Sequence, residues 1–285
     1  MIKNFFPRLI TSALNHLPAQ SLRTISTSTL LRPKSANMIT LYDIPSAAPG
    51  CAWSPNTWKV RYCLNLKNIP YKTEWLEYPD IAGRLQELGL PSTGQRPDGS
   101  PLYTLPAIKD DTTGIFMADS LPIAQYLETQ YAHTGPSIFP HGTWGLQAVF
   151  REAMSAEIIP IRPFVVHAIC AKLNKPAQQF YKDTREVTWN KAFDEIRPLP
   201  GRGAEEEWEK AKEGWSKVAE WYSGTSGPYL MGDTVSWADF VVCGQLIWYR
   251  AALGEDSKEW ADIMSWDNGY WKDFCGAMKR YETVG

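Results

Sequence analysis

The chain has 285 residues, 44% of them apolar and 21% charged, with a formal net charge of −2. That length carries one large domain or two small ones with an ample core. The near-neutral balance supplies no basic surface for nucleic acid or an anionic membrane, and no apolar run approaches the ~18 residues of a membrane helix.

The five cysteines, Cys51, Cys63, Cys170, Cys243 and Cys275, include no C-x-x-C. Together with the scattered His16, His133, His141 and His167 they give no metal-ligand spacing. An odd set of this kind fits a reducing compartment, with most of the thiols acting as small buried hydrophobes. Most of the 13 tryptophans lie after residue 140, either as core or as the lining of an aromatic-binding cavity.

Residues 1–37 are a different polymer. They hold no Asp or Glu, carry Lys3, Arg8, Arg23, Arg32 and Lys34, and include a Ser/Thr-rich tract at 24–29. An Arg-rich, Ser-rich, acid-poor segment has the composition of a mitochondrial transit peptide. Arg23, Ile25 and Ser28 have the spacing of a mitochondrial processing site, with cleavage near Arg32. A disordered tail is the plainer alternative, and initiation at Met38 would give a complete cytoplasmic protein.

From there the elements follow in order. ITLYDI (39–44) alternates and reads as a strand. After a Pro/Gly loop, Ser54-Pro55 opens a helix that Asn68 ends: Ser is a favoured N-cap, and Pro at the first helical position lacks only a donor that would be orphaned anyway. YKTEWLEY (71–78) reads as a second strand and IAGRLQELG (81–89) as a short helix stopped by Gly89. LYTLPAIK (102–109) is a strand interrupted by Pro106, GIFMAD (114–119) is a fourth strand, and Ser120 caps a helix over 120–131. After about residue 140 helical patterns take over, at 143–173, 177–197, 203–223, 236–253 and 268–282. Pro160 and Pro163 should kink or split the first of these.

A β-α-β-α-β-β-α domain with proline inside its third strand, Asp119-Ser120 opening the next helix, and an all-helical second half resemble a glutathione transferase of the cytosolic type. The resemblance covers about residues 38–285. The motif WSPNTWKVR (53–61), followed by LNLKNIPY, is similar to the fungal etherase-like branch, which includes relatives of the bacterial lignin β-etherases.

The resemblance implies an α/β thioredoxin-like N-terminal domain (38–131) that binds glutathione, and an all-α C-terminal domain (140–285) that binds a small hydrophobic aromatic co-substrate. It implies that Ser54 faces the glutathione sulfur. Leu105, through a cis peptide to Pro106, would pair its backbone with the cysteinyl part, and Asp119 and Ser120 would hold the γ-glutamyl end. It also implies a homodimer, no metal, and a pattern at Gly232–Asp239 that caps a core helix.

The chemistry is sufficient for the first of these roles. A thiol of pKa ~8.5 is mostly protonated at neutral pH, and lowering it by two units needs ~2.7 kcal/mol of preference for the thiolate. One hydroxyl donating to a charged sulfur contributes ~1.5–3 kcal/mol, and a helix N-terminus adds ~0.3–1. The bland reading of Ser54 is a plain N-cap. Asn56 adds a second donor to the sulfur or co-substrate, or is a solvated first-turn residue. Trp53 and Trp58 either wall the site against water or simply pack.

Cys51 is the rival nucleophile. Its C-x-x-S spacing suits a mixed disulfide with glutathione, but the helix-start position belongs to Ser54. Lys109, Arg84, Gln95 and Arg96 are candidates for the glycine carboxylate of glutathione. The expected function is therefore conjugation of glutathione to an aromatic electrophile, or cleavage of an aromatic ether with it. The alternatives are a Cys51-dependent glutathione thiol-disulfide reductase and a non-catalytic carrier of aromatic ligands. Detoxification, breakdown of plant aromatics and biosynthesis are all roles such a transferase can serve.

Overall fold

The computed structural model describes residues 38–285, Pro97 excepted. The transit-peptide expectation falls on residues 1–37 and lies outside the described residues.

The first half is built on β1 (Ile39–Asp43), α1 (Pro55–Leu66), β2 (Tyr71–Trp75), α2 (Ile81–Glu87), the short β3 (Gly94–Gln95) and β4 (Pro101–Leu102), β5 (Ala107–Asp110), β6 (Ile115–Ala118) and α3 (Ser120–Gln130). Four strands form one mixed sheet in the order β2-β1-β5-β6. β1 runs parallel to β2, and β5 runs antiparallel to both β1 and β6. This is the thioredoxin-like arrangement expected from the order of elements.

Strand lengths differ from the sequence reading in two places. β2 stops at Trp75 because Glu77-Tyr78-Pro79 turns the chain into a single 3-10 turn over Tyr78–Asp80. The 102–109 run splits into β4 and β5 around Leu105-Pro106, where proline supplies no N–H to a ladder.

The second half comprises α4 (Trp144–Glu157), α5 (Arg162–Cys170), α6 (Lys175–Trp189), α7 (Phe193–Ile196), α8 (Arg202–Ser223), α9 (Trp237–Leu253) and α10 (Lys258–Met278). The expected break at Pro160-Pro163 is a 51° bend between α4 and the segment that leads into α5. α10 begins ten residues before the expected start at 268, since Ser257 caps it by accepting the Trp260 N–H at 3.0 Å. Non-helical backbone at Trp266–Gly269 interrupts its periodicity, and that hid the first half.

α9 is the centre of the molecule, an apolar helix buried along most of its length. A helix so buried must satisfy its first N–H groups internally. Trp237 N donates to the Ile138 carbonyl at 2.9 Å, and Ala238 N donates to the side chain of buried Gln147 at 2.9 Å. Asp239 closes a capping box, its carboxylate accepting Ser236 N at 2.8 Å, Ser236 Oγ at 3.0 Å and Leu230 N at 2.9 Å. Burial pushes the Asp239 carboxyl up to about 6, and these hydrogen bonds oppose that rise. The Gly232–Asp239 motif is thus a folding element.

α1 packs along α9, and this contact joins the sheet half to the helical half. Tyr62 stacks on Phe240 at 5.4 Å and meets Cys243 Sγ at 3.0 Å. Gly244 permits the closest approach: a Cβ there would lie 2.7 Å from the Pro55 carbonyl oxygen. Any larger residue would displace the N-terminus of α1, where Ser54 sits.

Candidate active site

The register of the sheet brings the expected residues to one end of it. Tyr42 of β1 is opposite Ala107, and Ala107 is opposite Ala118. The chain therefore leaves β1 toward Ser54, enters β5 from Leu105-Pro106 and leaves β6 into Asp119 at the same edge. The Leu105–Pro106 peptide is cis. Asp119 N donates to the Pro106 carbonyl at 3.1 Å, tying the two loops together. Among the described residues no backbone hydrogen bond engages the N–H or C=O of Leu105.

Asp119 sits at φ 78°, ψ 130°, outside the ordinary regions for a residue with a side chain. Such a conformation costs ~1–3 kcal/mol and persists only where the surroundings impose it. Asp119 is exposed and is itself the N-cap of α3; Ser120, expected to cap the helix, is instead its buried first residue, because the turn out of β6 places the non-helical backbone at Asp119. A carboxylate beside a helix N-terminus offers an acceptor for an ammonium next to donors for a carboxylate.

Ser54 is the N-cap of α1 and only 4% exposed. Its backbone carbonyl accepts Trp58 N and Thr57 Oγ1, both at 3.1 Å. The Trp58 indole donates back to the Ala52 carbonyl at 3.1 Å and fixes the preceding loop from inside. The Ser54 hydroxyl, by contrast, makes no capping hydrogen bond. It lines a cleft of about 560 Å³ together with Asn56 and Trp53. Trp53 and Trp58 therefore part company: Trp53 walls the cleft, whereas Trp58 packs against Tyr62 at 5.2 Å. Cys51 sits in the turn before, at φ 63°, its carbonyl accepting Ser46 Oγ at 2.9 Å, and it is not part of the cleft lining.

The other wall comes from α4, α5, α6 and α9. Trp53, Tyr78 and Tyr181 form a run of rings with centroids 6.3 and 5.5 Å apart. The Arg185 guanidinium lies 4.2 Å over the Tyr181 ring. Arg162 donates to the Ser155 carbonyl at 3.2 Å, and Arg151 pairs with Glu152.

Lys59 is the residue that sequence reasoning missed on this side of α1. It is 6% exposed, lines the cleft, and has no hydrogen-bond or ion-pair partner for its ammonium among the described residues. Lys67, the other buried lysine of this stretch, shows the contrast: its ammonium meets Glu128 at 3.1 Å and two backbone carbonyls. Burial lowers the Lys59 pKa to about 8, helped by Arg151 and opposed by Asp119 and Glu152. Below pH 8 both the folded and the unfolded chain hold this proton. Between about 8 and the ordinary 10.5 the unfolded chain binds more, so this group makes stability rise with pH in that window. The signal was present in the sequence, since Lys59 lies three and four residues after Asn56 and Pro55, on one helix face.

Of the candidates for a glycine carboxylate, Lys109 pairs with Asp111 at 2.7 Å and Arg84 with Glu74 at 2.9 Å. Gln95 ends β3, with Arg96 just beyond it. Among the described residues no group of three His, Cys, Asp or Glu is placed to hold a metal ion. A separate depression of about 640 Å³ between α8 and α10, around Trp208 and Trp266, contains none of the expected residues.

A thioredoxin-like domain with a cis-proline loop, joined through α1 to a helical domain with an open cleft at Ser54, defines the class of glutathione-dependent transferase folds. Comparison with known proteins agrees. Residues 53–130 match the model of the glutathione S-transferase N-terminal domain, and residues 145–281 that of the C-terminal domain. The glutathione S-transferase-like protein ustS of Aspergillus flavus is 31% identical over 243 residues, covering 80% of this chain and 85% of that protein. A glutathione S-transferase of Ceriporiopsis subvermispora, solved in complex with glutathione, is 42% identical with a TM-score of 0.82, covering 87% of this chain and 99% of the other. A glutathione transferase of Phanerochaete chrysosporium is 37% identical with a TM-score of 0.80, covering 87% and 98%. The chain belongs to the glutathione S-transferase family.

Proposed function

We propose that this chain binds glutathione along the Leu105–Asp119 end of the sheet and activates it as a thiolate at Ser54. The observation that carries the reading is the Ser54 hydroxyl, which stands at a helix N-terminus, caps nothing, and opens on the cleft. A hydroxyl that only capped α1 would accept a backbone N–H. This one keeps its proton for an incoming anion, and the α1 N-terminus adds its own positive potential. Asn56, exposed in the first turn of α1, is a second donor to the sulfur or the co-substrate.

Leu105 would pair its unengaged N–H and C=O with the cysteinyl backbone, as an added strand pairs with a sheet edge. Asp119 would take the γ-glutamyl ammonium, and Ser120 with the α3 N-terminus the neighbouring carboxylate. The thiolate then attacks an electrophilic carbon of an aromatic co-substrate in the cleft. A C–S bond forms and the leaving group departs with its electron pair, as halide or, from an ether, as aryl oxide. The WSPNTWKVR motif supports the etherase-like branch.

An Asp119→Ala variant should weaken glutathione binding by roughly 10–100-fold, the value of one charge-assisted hydrogen bond. Asp119→Asn separates charge from backbone strain and should behave nearly as badly. Calorimetry giving an unchanged affinity for both variants would misplace the γ-glutamyl site.

A homodimer is proposed, with the exposed Leu146 and Val149 of α4 as apolar surface available to it; light scattering that gives a monomer mass refutes this. Mitochondrial import by residues 1–37 is proposed from their composition, and a reporter fusion that remains in the cytoplasm refutes that.

A further inference from the structure

The polar side chains of the cleft are unbalanced. Lys59, Arg151, Arg162 and Arg185 line it, against a single carboxylate, Glu152, which Arg151 already engages. Lys59, Arg162 and Arg185 have no carboxylate partner among the described residues. An ammonium as buried as that of Lys59, held near the Arg151 guanidinium, is costly unless an anion completes it. Trp53 and Trp248, which also line the cleft, each carry a buried indole N–H without an acceptor. Four cationic side chains thus line the cleft against one carboxylate.

The apolar part of the cleft has a shape that goes with this charge. The rings of Trp53, Tyr78 and Tyr181 follow one another, and the Arg185 guanidinium covers the last of them. A flat ring can stack along that wall while a carboxylate on its edge meets a guanidinium, whose planar fork suits two carboxylate oxygens.

We propose that the co-substrate pocket is built for an anionic arene, specifically an aromatic carboxylate, held by Arg185, Arg162 and Lys59. This rests on the reading of the cleft as the co-substrate site of a glutathione transferase. Glutathione itself does not account for the cations on α1, α5 and α6, because its γ-glutamyl end is assigned to the sheet side at Asp119 and Ser120 and its glycine carboxylate is a single charge against the three of Lys59, Arg162 and Arg185. The reaction stays a nucleophilic displacement: the carboxylate is a handle, and the carbon attacked lies elsewhere on the arene.

The test compares two probes of nearly equal shape, the anionic 1-naphthoate and the neutral 1-naphthamide, by calorimetry on the full chain at neutral pH. Naphthoate should bind at least ~10-fold tighter than naphthamide, consistent with one charge-assisted pair, and the preference should shrink as salt is added. Arg185→Met and Lys59→Met should each erase most of the preference, and Arg185→Lys should restore part of it. Thermal unfolding of each variant, together with retained glutathione binding, separates a lost anion contact from a failure to fold.

Equal or tighter binding of naphthamide, or a naphthoate preference untouched by these variants, overturns the proposal. Glutathione is titrated in parallel. If glutathione binds but naphthoate gains nothing, the anionic pocket is wrong and the transferase reading stands. If naphthoate preference holds while glutathione fails to bind, the transferase reading fails and the pocket stands.

Discussion

Replacing Ser54 by alanine should lower kcat/KM for conjugation at neutral pH by roughly 10–100-fold, while glutathione affinity changes little. The size follows from one hydrogen bond to a charged sulfur, ~1.5–3 kcal/mol, with ~1.4 kcal/mol per tenfold. The variant should also shift the pH–rate profile upward. Without the hydroxyl the bound thiol ionises closer to its free value, so activity should recover at alkaline pH where the thiolate forms unaided. Steady-state kinetics across pH checks both parts. A uniform loss at every pH would mean that Ser54 shapes the site instead of stabilising the thiolate.

The largest effect on stability should come from Asp43→Ala. Asp43 ends β1 and pairs with Arg61 of α1 at 2.7 Å, both side chains being fully buried. Arg61 also donates to Thr73 Oγ1 at 3.1 Å and lies among the rings of Trp58, Tyr71 and Trp75 at 5.5–5.8 Å. Removing the carboxylate strands a guanidinium in that enclosure. Breaking a buried pair in this way costs ~3–5 kcal/mol, a fall in Tm on the order of 10 °C for a chain of this size. The double variant Asp43→Leu with Arg61→Met removes both charges and should regain most of the loss. Thermal unfolding measures this directly; a shift of less than about 2 °C in the single variant would show that the site relaxes or admits water.

The same pair shows what the sequence withheld. Asp43 at a strand end and Arg61 seven residues into a helix give no local signal of pairing, because only the packing of α1 on β1 brings them together. Ser54-Pro55, Pro106 and Asp119-Ser120 were legible for the opposite reason: each is a local rule about caps, breakers or helix starts that holds before tertiary structure forms. Locality was also the limit of those readings. A serine before proline reads as a cap, and only the folded chain reveals that its hydroxyl does not cap. Lys59 shares a helix face with Pro55 and Asn56, but the cationic cleft as a whole was not legible. Lys59, Arg151, Arg162 and Arg185 come from four helices, and each alone is an ordinary charged residue on a helix. The expected co-substrate was hydrophobic and aromatic; the cleft combines aromatic rings with cations of which three have no carboxylate partner among the described residues.

The central claim is that the Ser54 hydroxyl holds the glutathione thiolate. A titration of bound glutathione by thiolate ultraviolet absorbance, on the unmodified protein, Ser54→Ala and Cys51→Ser, tests it most directly. The expected result is a bound thiol one to two units below the free value of ~8.5, raised by at least about one unit in Ser54→Ala and unmoved in Cys51→Ser. An identical titration for Ser54→Ala and the unmodified protein would contradict the account. If Cys51→Ser then abolished a glutathione-disulfide reductase activity, the protein would be a redox enzyme in which Ser54 serves only the helix.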